Sequence, residues 1–198
     1  MTKSNDRDSD HDINPLFLNR WSPRVLDGQP IGQETLFRIL EAARWAPSAS
    51  NVQPWRFIYG LAGSPSFDRM LGLLNEGNRV WAGNASVLLF LVSDELSRRA
   101  DGSTRPNRSH SFDAGASWAM LALQATHLGY QAHAMGGVDF ERAQVELSVP
   151  NDHRIEAAIA IGRPTERTNL SEEQRIRETP NGRRPLSTFM FEGVFSAP

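Results

Sequence analysis

Residues 44–57 read RWAPSASNVQPWRF and place two tryptophans, two prolines, two serines and an asparagine in one short segment. Before this segment, the apolar residues of GQETLFRILEAARWA follow the i, i+3, i+4, i+7 spacing of an amphipathic helix, and Pro47 stops that helix. After it, WRFIYG (55–60) is rich in aromatic and β-branched residues and predicts a strand. The quoted stretch is therefore a proline-bounded turn that joins a helix to a strand.

Helical and strand patterns alternate along the rest of the chain. Short continuous apolar runs predict buried strands at 85–93 and 155–162, with a shorter strand at 130–135. Residues 94–111 are polar, contain Gly and Pro, and predict a mobile loop. Further helical patterns cover residues 64–77, 112–129 and 140–148. This alternation predicts a layered sheet with helices packed on its faces.

The composition is that of an ordinary globular domain. The chain has 198 residues, a formal net charge of −2 and 39% hydrophobic residues, so it has no global attraction to nucleic acid or to an anionic membrane. It has no cysteine, which excludes disulfides, thiolate catalysis and cysteine-based metal sites. No apolar run approaches the roughly 20 residues that span a bilayer, and the scattered histidines lack metal-ligand spacing. We therefore expect a cytoplasmic protein with no metal, no nucleic-acid partner and no membrane partner.

The two ends of the chain differ from its middle. Residues 1–13 are rich in Asp and Ser and carry few apolar side chains, which predicts a disordered tail and no signal peptide. Residues 14–198 are expected to form a single domain. Its last part, about 35 residues, is rich in Pro and Arg and has no core pattern of its own, which is unusual inside a compact domain. The aromatic cluster FMFEGVF in this part packs either on a partner subunit or on its own subunit.

Two basic clusters stand near opposite ends of the chain. In RWSPR, an extended backbone would point Arg20, Ser22 and Arg24 in the same direction, and we call these three residues the donor row. Guanidinium groups and a hydroxyl suit a phosphate or another anion with several acceptor atoms. In GRR, Arg183 and Arg184 could converge on the same anion. Each cluster is also compatible with a solvated basic patch.

Small polar groups are concentrated in the turn between the first helix and the first strand. Ser48, Ser50, Asn51 and Gln53 follow Pro47 and offer short donors and acceptors. Polar groups set in an apolar wall are typical of a pocket that orients a planar polar ligand. The structural alternative is that Ser and Asn only form the turn and that both tryptophans belong to the core.

Together these motifs resemble the nitroreductase family of FMN-dependent oxidoreductases. The resemblance rests on RxSxR near the N-terminus, AARWAPSASNVQPW in the turn, a Gly-Gly pair and an Arg pair before PLSTFMFEGVF, and it covers about residues 14 to 195. It implies an α+β, three-layer fold with a central, mostly antiparallel sheet flanked by helices and a C-terminal extension exchanged with a dimer partner. It also implies that the aromatic residues of the turn pack at the dimer interface while its polar groups face the flavin of the neighbouring subunit.

The resemblance also assigns roles to single residues. Arg20 and Ser22 would hold the FMN phosphate, helped by Arg183 or Arg184, and Arg24 would lie near N1 and O2 of the flavin. A cation there stabilises the negative charge that reduction places on N1. The residues implied to bind the cofactor are Arg20, Trp21, Ser22, Arg24, Pro47, Ser48, Ala49, Asn51, Asn78, Met135, Gly136, Gly137, Arg183 and Arg184.

In this implied site, no side chain is catalytic, because the flavin carries the chemistry. Asn78 would hydrogen-bond the pyrimidine ring, and the backbone amides of Gly136 and Gly137 would approach N5, where glycine permits a close approach. The residues from Pro47 to Asn51 would reach the flavin held mainly by the other chain. The implied homodimer therefore has two composite active sites.

Two positions depart from the family pattern. Gly136 stands where many members carry an acidic residue, and Trp81 stands where many carry a basic one. Without that basic side chain, Arg24 would carry more of the charge compensation at N1.

The resemblance implies hydride transfer from NAD(P)H through flavin N5 to a small planar acceptor, such as a nitroaromatic, a quinone or an enone, by a ping-pong mechanism. A GxGxxG dinucleotide motif is absent from the sequence, so NAD(P)H would visit the same cavity as the acceptor. One alternative is a protein that binds, senses or modifies flavin without this turnover. Another is a protein without flavin whose arginines dock an anionic partner.

Overall fold

The computed structural model describes residues 7–165 and 170–196. Residues 1–6 of the predicted disordered tail, and six residues of the C-terminal part, lie outside these ranges. The helices are α1 (Pro15–Asn19), α2 (Gln33–Arg44), α3 (Pro65–Gly72), α4 (Glu76–Ala82), α5 (His110–His127), α6 (Phe140–Glu146) and α7 (Glu172–Arg177). The strands are β1 (Trp55–Leu61), β2 (Val87–Asp94), β3 (Leu96–Arg98), β4 (Thr104–Pro106), β5 (Gln131–Met135) and β6 (His153–Gly162).

Four of the strands form an antiparallel sheet in the order β1–β2–β6–β5. Trp55 at the start of β1 pairs with Ser93 of β2, and Gln131 at the start of β5 pairs with Gly162 of β6. Strands β1 and β5 are therefore the two edges of the sheet. Three inter-strand spacings of about 4.8 Å separate these edges by about 14 Å.

Both faces of the sheet are covered by apolar side chains. Every residue of β2 is buried, because alternate side chains of a strand point to opposite faces and both faces carry helices. Leu89 packs with Leu36 of α2 and Leu121 of α5, whereas Phe90 packs with Phe67 of α3 on the other face. The predicted α+β fold with three layers and an antiparallel central sheet is confirmed.

The single helix predicted at 64–77 is wrong, because the chain breaks between α3 and α4. Asn75 caps α4, and its side-chain oxygen accepts a hydrogen bond from the backbone amide of Asn78 at 2.9 Å. Leu73 and Leu74 are buried at the break. The apolar pattern continues across it since both helices cover the same face of the sheet.

The segment predicted as a loop at 94–111 contains secondary structure. Strands β3 and β4 pair as a two-stranded antiparallel ribbon, with Leu96 opposite Pro106. Arg98 of the ribbon forms ion pairs with Asp94 at 3.2 Å and with Asp152 at 2.5 Å. These contacts attach the ribbon to the end of the main sheet, and the polar composition of the segment gave no sign of them.

The C-terminal part contains both buried and exposed side chains. Glu178, just after α7, is 2% exposed and packs into its own subunit. Phe189 and Phe195 are 59% and 81% exposed on this protomer. Exchange of the last residues with a partner stays a prediction, as does disorder at 1–13. Within the described ranges, no helix has the length and apolarity needed to cross a bilayer.

Candidate functional site

The backbone that carries the donor row is held by side chains from distant parts of the chain. Gln131 of β5 accepts a hydrogen bond from the Trp21 amide at 3.2 Å and donates one to the Asn19 carbonyl at 3.1 Å. Arg7 donates from Nη1 to the Arg20 carbonyl at 2.9 Å. These contacts place the start of the donor row along the edge strand β5.

The other end of the donor row is held by Glu178 and His133. The Glu178 carboxylate accepts hydrogen bonds from the backbone amides of Arg24 and Val25, both at 2.8 Å. His133 of β5 donates from Nδ1 to the Pro23 carbonyl at 3.0 Å, which fixes this nitrogen as the protonated one. With its backbone held on both sides, the donor row has little freedom to rearrange.

His133 is held in its neutral form. Burial lowers the pKa of His133, and the charges of Arg24 and Arg20 lower it further, against the opposing effects of its hydrogen bond to Pro23 and the Glu178 charge. Its ring also packs against the ring of Trp81 at a tilt of 33°, with 4.6 Å between the centroids. An uncharged imidazole leaves the positive charge of this region on the arginines.

Three arginines from both ends of the chain converge at the donor row. Burial lowers the pKa of Arg20, and the nearby charge of Arg183 lowers it further. Burial likewise lowers the pKa of Arg7, with Arg183 and Arg20 as the next causes. We call Arg7, Arg20 and Arg183 the arginine cluster. In the part of the chain that the structure describes, none of them forms an ion pair with a carboxylate.

A cavity of about 480 Å³ lies next to this cluster. Arg20, Ser22 and His133 line it on one side, and Trp118 and Leu123 of α5 line it on the other. Nη1 of Arg20 lies 3.5 Å from Oγ of Ser22, at the limit of a hydrogen bond. One wall therefore offers cationic and hydroxyl donors, and the opposite wall is apolar.

Asn78 and the Gly-Gly pair lie together on the far side of His133. The Asn78 side-chain amide donates to the Gly137 carbonyl at 3.3 Å. A Cβ at Gly137 would collide with the side-chain amides of Asn75 and Asn78, whereas a Cβ at Gly136 would meet nothing within 4 Å. A side chain at position 137 would therefore force these two asparagine side chains to shift, whereas the backbone at position 136 borders open space.

Trp81 brings an unused hydrogen-bond donor to the same region. Its Nε1 is buried and has no partner among residues 7–165 and 170–196. Because the Trp81 ring packs against His133, it cannot rotate freely to expose this nitrogen to water. A buried donor without an acceptor is unfavourable, and an acceptor atom of a bound molecule would satisfy it.

The turn that precedes β1 lies at the opposite edge of the sheet from the donor row. Its backbone is strained, since Ser50, Asn51 and Gln53 have φ values of 51°, 55° and 52°. The Ala49 amide donates to the buried carboxylate of Asp113 at 3.1 Å. One protomer thus does not bring Pro47, Ser48, Ala49 and Asn51 to the arginine cluster, and their expected contact with a cofactor would need a second subunit.

The two tryptophans of this turn have different environments. Trp55 is 8% exposed and belongs to the core, whereas Trp45 is 71% exposed. The structural alternative placed both tryptophans in the core. It is wrong for Trp45, which directly follows α2 and is exposed. The exposed position of Trp45 is compatible with an interface between subunits.

The remaining predicted residues have the following positions. Trp21 and Met135 are buried at 8% and 3% exposure and support the site from behind. Arg184 is exposed next to Arg183. The sequence argument missed the roles of Arg7, Gln131 and Glu178, and treated His133 as structural. No local pattern marks these residues, because each contacts a segment that is distant in sequence.

A group of possible metal ligands lies outside this site. Asp94, Asp152 and His153 place ligand atoms within 4.8 Å of one another. However, Arg98 already forms ion pairs with both carboxylates, so a cation is present in the form of a guanidinium group. The expectation of no bound metal stays a prediction.

Fold and site together define a three-layer α+β protein with a cavity of about 480 Å³ beside an arginine cluster at an edge strand. The family model described as "Nitroreductase family" matches residues 18–59 and 64–163. A crystal structure described as an oxidoreductase containing FMN is 48% identical, covers 100% of both chains and superposes with a TM-score of 0.94. The chain belongs to the nitroreductase family.

Two curated relatives show the range of names within this similarity. A Thermus thermophilus protein named NADH dehydrogenase is 28% identical over 185 residues, covering 78% of this chain and 88% of the relative. A Rhodospirillum rubrum protein named 5,6-dimethylbenzimidazole synthase is 27% identical over 190 residues, covering 83% and 87%. The chain is therefore similar both to a protein named as a dehydrogenase and to one named as a synthase.

Proposed function

We propose that this protein is an FMN-dependent oxidoreductase that works as a homodimer. It would take electrons from NADH or NADPH and pass them to a small planar acceptor such as a nitroaromatic, a quinone or an enone. The observation that carries the proposal is the arginine cluster, in which Arg7, Arg20 and Arg183 lie together without a carboxylate partner among the described residues. The 48% identity to an oxidoreductase containing FMN supports the same conclusion.

The donor set fits a phosphate monoester. Guanidinium groups present donors in a fixed fork that matches phosphate oxygens, and the Ser22 hydroxyl lies beside Arg20. Mutual repulsion among like charges is unfavourable unless an anion neutralises it. We assign the FMN phosphate to Arg20, Ser22 and Arg183, with Arg7 adding to the charge and Arg184 next in the chain.

The polar edge of the isoalloxazine ring would meet the opposite end of the donor row. Arg24 supplies a positive charge, Asn78 supplies an amide and Trp81 supplies the unpaired Nε1. The open space at Gly136 leaves room for a ring to approach the backbone of the Gly-Gly pair. FMN held by these residues would supply the hydride chemistry between reduced nicotinamide and the acceptor.

In this reaction the side chains would orient the cofactor and compensate the charge that develops on it. Arg24 would favour the negatively charged reduced cofactor, because a nearby cation stabilises charge that develops in a partly buried site. Neutral His133 would hold Arg24 in place through the Pro23 carbonyl without adding a charge of its own. The apolar wall of α5 would exclude water from one side.

The second subunit completes the site in this proposal. The turn residues Pro47, Ser48, Ala49 and Asn51 lie at the sheet edge opposite the arginine cluster, so they would act on the cofactor of the partner. Exposed apolar side chains on α2 and α5, including Phe37 and Met120 together with Trp45 after α2, offer a surface for that partner.

The first experiment is an absorbance spectrum of the purified protein, with and without added FMN. A yellow protein that is bleached by NADH or NADPH under anaerobic conditions, and reoxidised by a nitroaromatic or a quinone, supports the oxidoreductase. A colourless protein that does not bind added FMN overturns it. Sedimentation at several concentrations tests the homodimer separately.

A second candidate is a protein that binds or modifies flavin without nicotinamide turnover. It is favoured by Trp81 and Gly136, which replace the basic and acidic residues expected there, and by the similarity to a relative named 5,6-dimethylbenzimidazole synthase. This candidate also predicts bound FMN. It differs in predicting no bleaching with either nucleotide, so the anaerobic mixing experiment separates the two.

A further inference from the structure

A second cavity, of about 270 Å³, is lined in part by two arginines that form no ion pair among the described residues. The cavity lies between the turn before β1 and the ribbon formed by β3 and β4. Arg105, Asn107 and Arg108 line it on the ribbon side, and Ala49 and Ser50 line it on the turn side. It shares no lining residue with the cavity at the arginine cluster.

The lining of this cavity carries positive charge and lacks an acidic side chain. Its other residues are Val52, Ser97, Pro106 and Ser109. Among the residues that the structure describes, Arg105 and Arg108 form no ion pair. Arg98, on the same ribbon, is paired with Asp94 and Asp152. The difference indicates that two guanidinium groups here remain available to an external anion.

Asn107 supplies an independent observation. The residue is only 7% exposed, and its Oδ1 accepts a hydrogen bond from the backbone amide of Ser109 at 3.3 Å. Its Nδ2 is buried and has no partner in the described ranges. Because the backbone amide of Ser109 can only donate, the atom that faces it is the oxygen, and the unpaired group is therefore the donor. Because Asn107 lines the cavity, an acceptor atom that reaches this nitrogen by a small movement of the side chain would satisfy it.

One buried carboxylate lies behind the wall of the cavity, where hydrogen bonds from two lining residues engage it. Asp113, in the first turn of α5, accepts hydrogen bonds from the Ala49 amide at 3.1 Å and the Ser109 hydroxyl at 3.0 Å. It thereby holds the turn and the ribbon together on either side of the cavity. The start of α5, an 18-residue helix, adds the positive end of a helix dipole next to Ser109.

We propose that Arg105, Asn107 and Arg108 form a subsite for an anionic group, a phosphate or a carboxylate, of a molecule that exchanges electrons with the protein. This rests on the proposed function, because the turn that lines the cavity is the one assigned to the cofactor of the partner. The anion has two possible sources, a phosphate of the reduced nicotinamide nucleotide or an acidic group on the acceptor. The subsite is separate from the arginine cluster, which holds the phosphate of FMN.

Binding is tested first with inorganic phosphate on ¹⁵N-labelled, FMN-loaded protein. Saturable chemical-shift changes are expected at the Asn107 and Ser109 amides, and they should weaken as ionic strength rises. The double variant Arg105→Gln/Arg108→Gln should lose them, whereas Arg99→Gln, which removes a charge at the tip of the same ribbon outside the cavity, should keep them. Because this signal is local, it is also readable without FMN, so failure of the proposed function would not hide it.

Steady-state kinetics then identify the source of the anion. If the 2′-phosphate of the nucleotide binds here, the double variant should raise KM for NADPH about tenfold or more and leave KM for NADH nearly unchanged. An equal rise in KM for NADPH and NADH would show that the subsite binds the pyrophosphate that both nucleotides share. A rise in KM for 4-nitrobenzoate, without a rise for nitrobenzene, would show that the subsite binds an acidic group of the acceptor.

Two results would overturn the subsite. One is the absence of phosphate-induced shifts at Asn107 and Ser109 in the wild-type protein. The other is a double variant whose KM values for both nucleotides and both acceptors match those of Arg99→Gln. Wild-type protein that fails to bind FMN would instead overturn the proposed function, and the phosphate titration of the unloaded protein would still decide whether the anion site exists.

Discussion

The carboxylate of Glu178 accepts a hydrogen bond from the backbone amide of Arg24 at 2.8 Å, across 154 positions of sequence. Glu178 is 2% exposed, so this contact is shielded from water. It ties the C-terminal segment to the segment that carries the donor row. The geometry of the proposed cofactor site therefore depends on residues that sequence order places at the far end of the chain.

Replacing Glu178 with Ala should weaken FMN binding and lower the melting temperature. The change leaves the amides of Arg24 and Val25 without their acceptor, at a cost of about 1–3 kcal/mol. Glu178→Gln keeps an acceptor oxygen and should lose less. Flavin fluorescence measures the FMN Kd, and circular dichroism measures the Tm. Glu173→Gln, on the exposed surface of α7, is the control. Wild-type values of both quantities in Glu178→Ala would show that the segment does not hold the donor row.

Arg20→Ala should raise the FMN Kd more than Arg24→Ala does, because Arg20 is assigned to the phosphate. Riboflavin lacks the phosphate, so Arg20→Ala should change its Kd much less. Arg69→Ala, at an exposed position of α3, is the control for the loss of one positive charge. A riboflavin Kd that rises as much as the FMN Kd would remove Arg20 from phosphate binding.

Arg24→Ala should instead lower the reduction potential of the bound flavin. Loss of a cation destabilises the negatively charged reduced form, and for a two-electron couple about 30 mV corresponds to 1.4 kcal/mol. The potential is measured by equilibration with a reference dye. Equal potentials in the wild type and in Arg24→Ala would contradict the placement of Arg24 beside N1.

Protein stability should fall as the pH drops below about 6.5, the ordinary pKa of histidine, partly because of His133. Burial lowers the pKa of His133 in the folded protein, so the unfolded chain binds the proton more readily. The stability is present above the unfolded pKa and is lost as the pH falls through the folded pKa.

His133→Gln should flatten this dependence while keeping a donor for the Pro23 carbonyl. Urea unfolding between about pH 5 and pH 8 measures the effect, with His127→Gln, an exposed histidine on α5, as the control. Arg20, Arg24 and Glu178 also face the ring and stay unchanged in both variants. Identical slopes for the two variants would show that His133 does not contribute.

Gly137→Ala should destabilise the protein, and Gly136→Ala should not. A methyl group at position 137 meets the amides of Asn75 and Asn78, whereas position 136 has open space. Thermal unfolding of the apoproteins compares the two directly. The Gly136 variant is also informative with FMN, since a methyl group that blocks the approach of the ring would raise the Kd at an unchanged melting temperature. Equal stability of both variants would contradict the packing at Gly137.

Much of the fold was predictable because its signals are local. The run ASVLLFLVS predicted a buried strand, and every residue of β2 is buried. The break at Asn75 was missed because an apolar pattern continues when two helices cover one face. The ribbon of β3 and β4 was missed because its attachment to the sheet includes the ion pair between Arg98 and Asp152, which are 54 positions apart in sequence.

The candidate site was predictable in part, and for a different reason. Arg20, Ser22 and Arg24 were identified by their spacing, and Arg183 by its charge. Nothing local indicated that Arg7 would join them or that Trp81 would leave Nε1 unpaired against His133. These relations are contacts between segments, so a pattern within one segment cannot reveal them.

By itself, the sequence determined the four strands of the main sheet, the long helices and the motifs that mark the family, because side-chain periodicity and turn chemistry act over a few neighbouring residues. Only the tertiary structure decided that the segments around Arg7 and Arg183 meet at one sheet edge, that Glu178 and His133 hold the donor row, and that the turn at 44–57 lies at the opposite edge. Those outcomes depend on strand order and packing, which bring together residues more than a hundred positions apart.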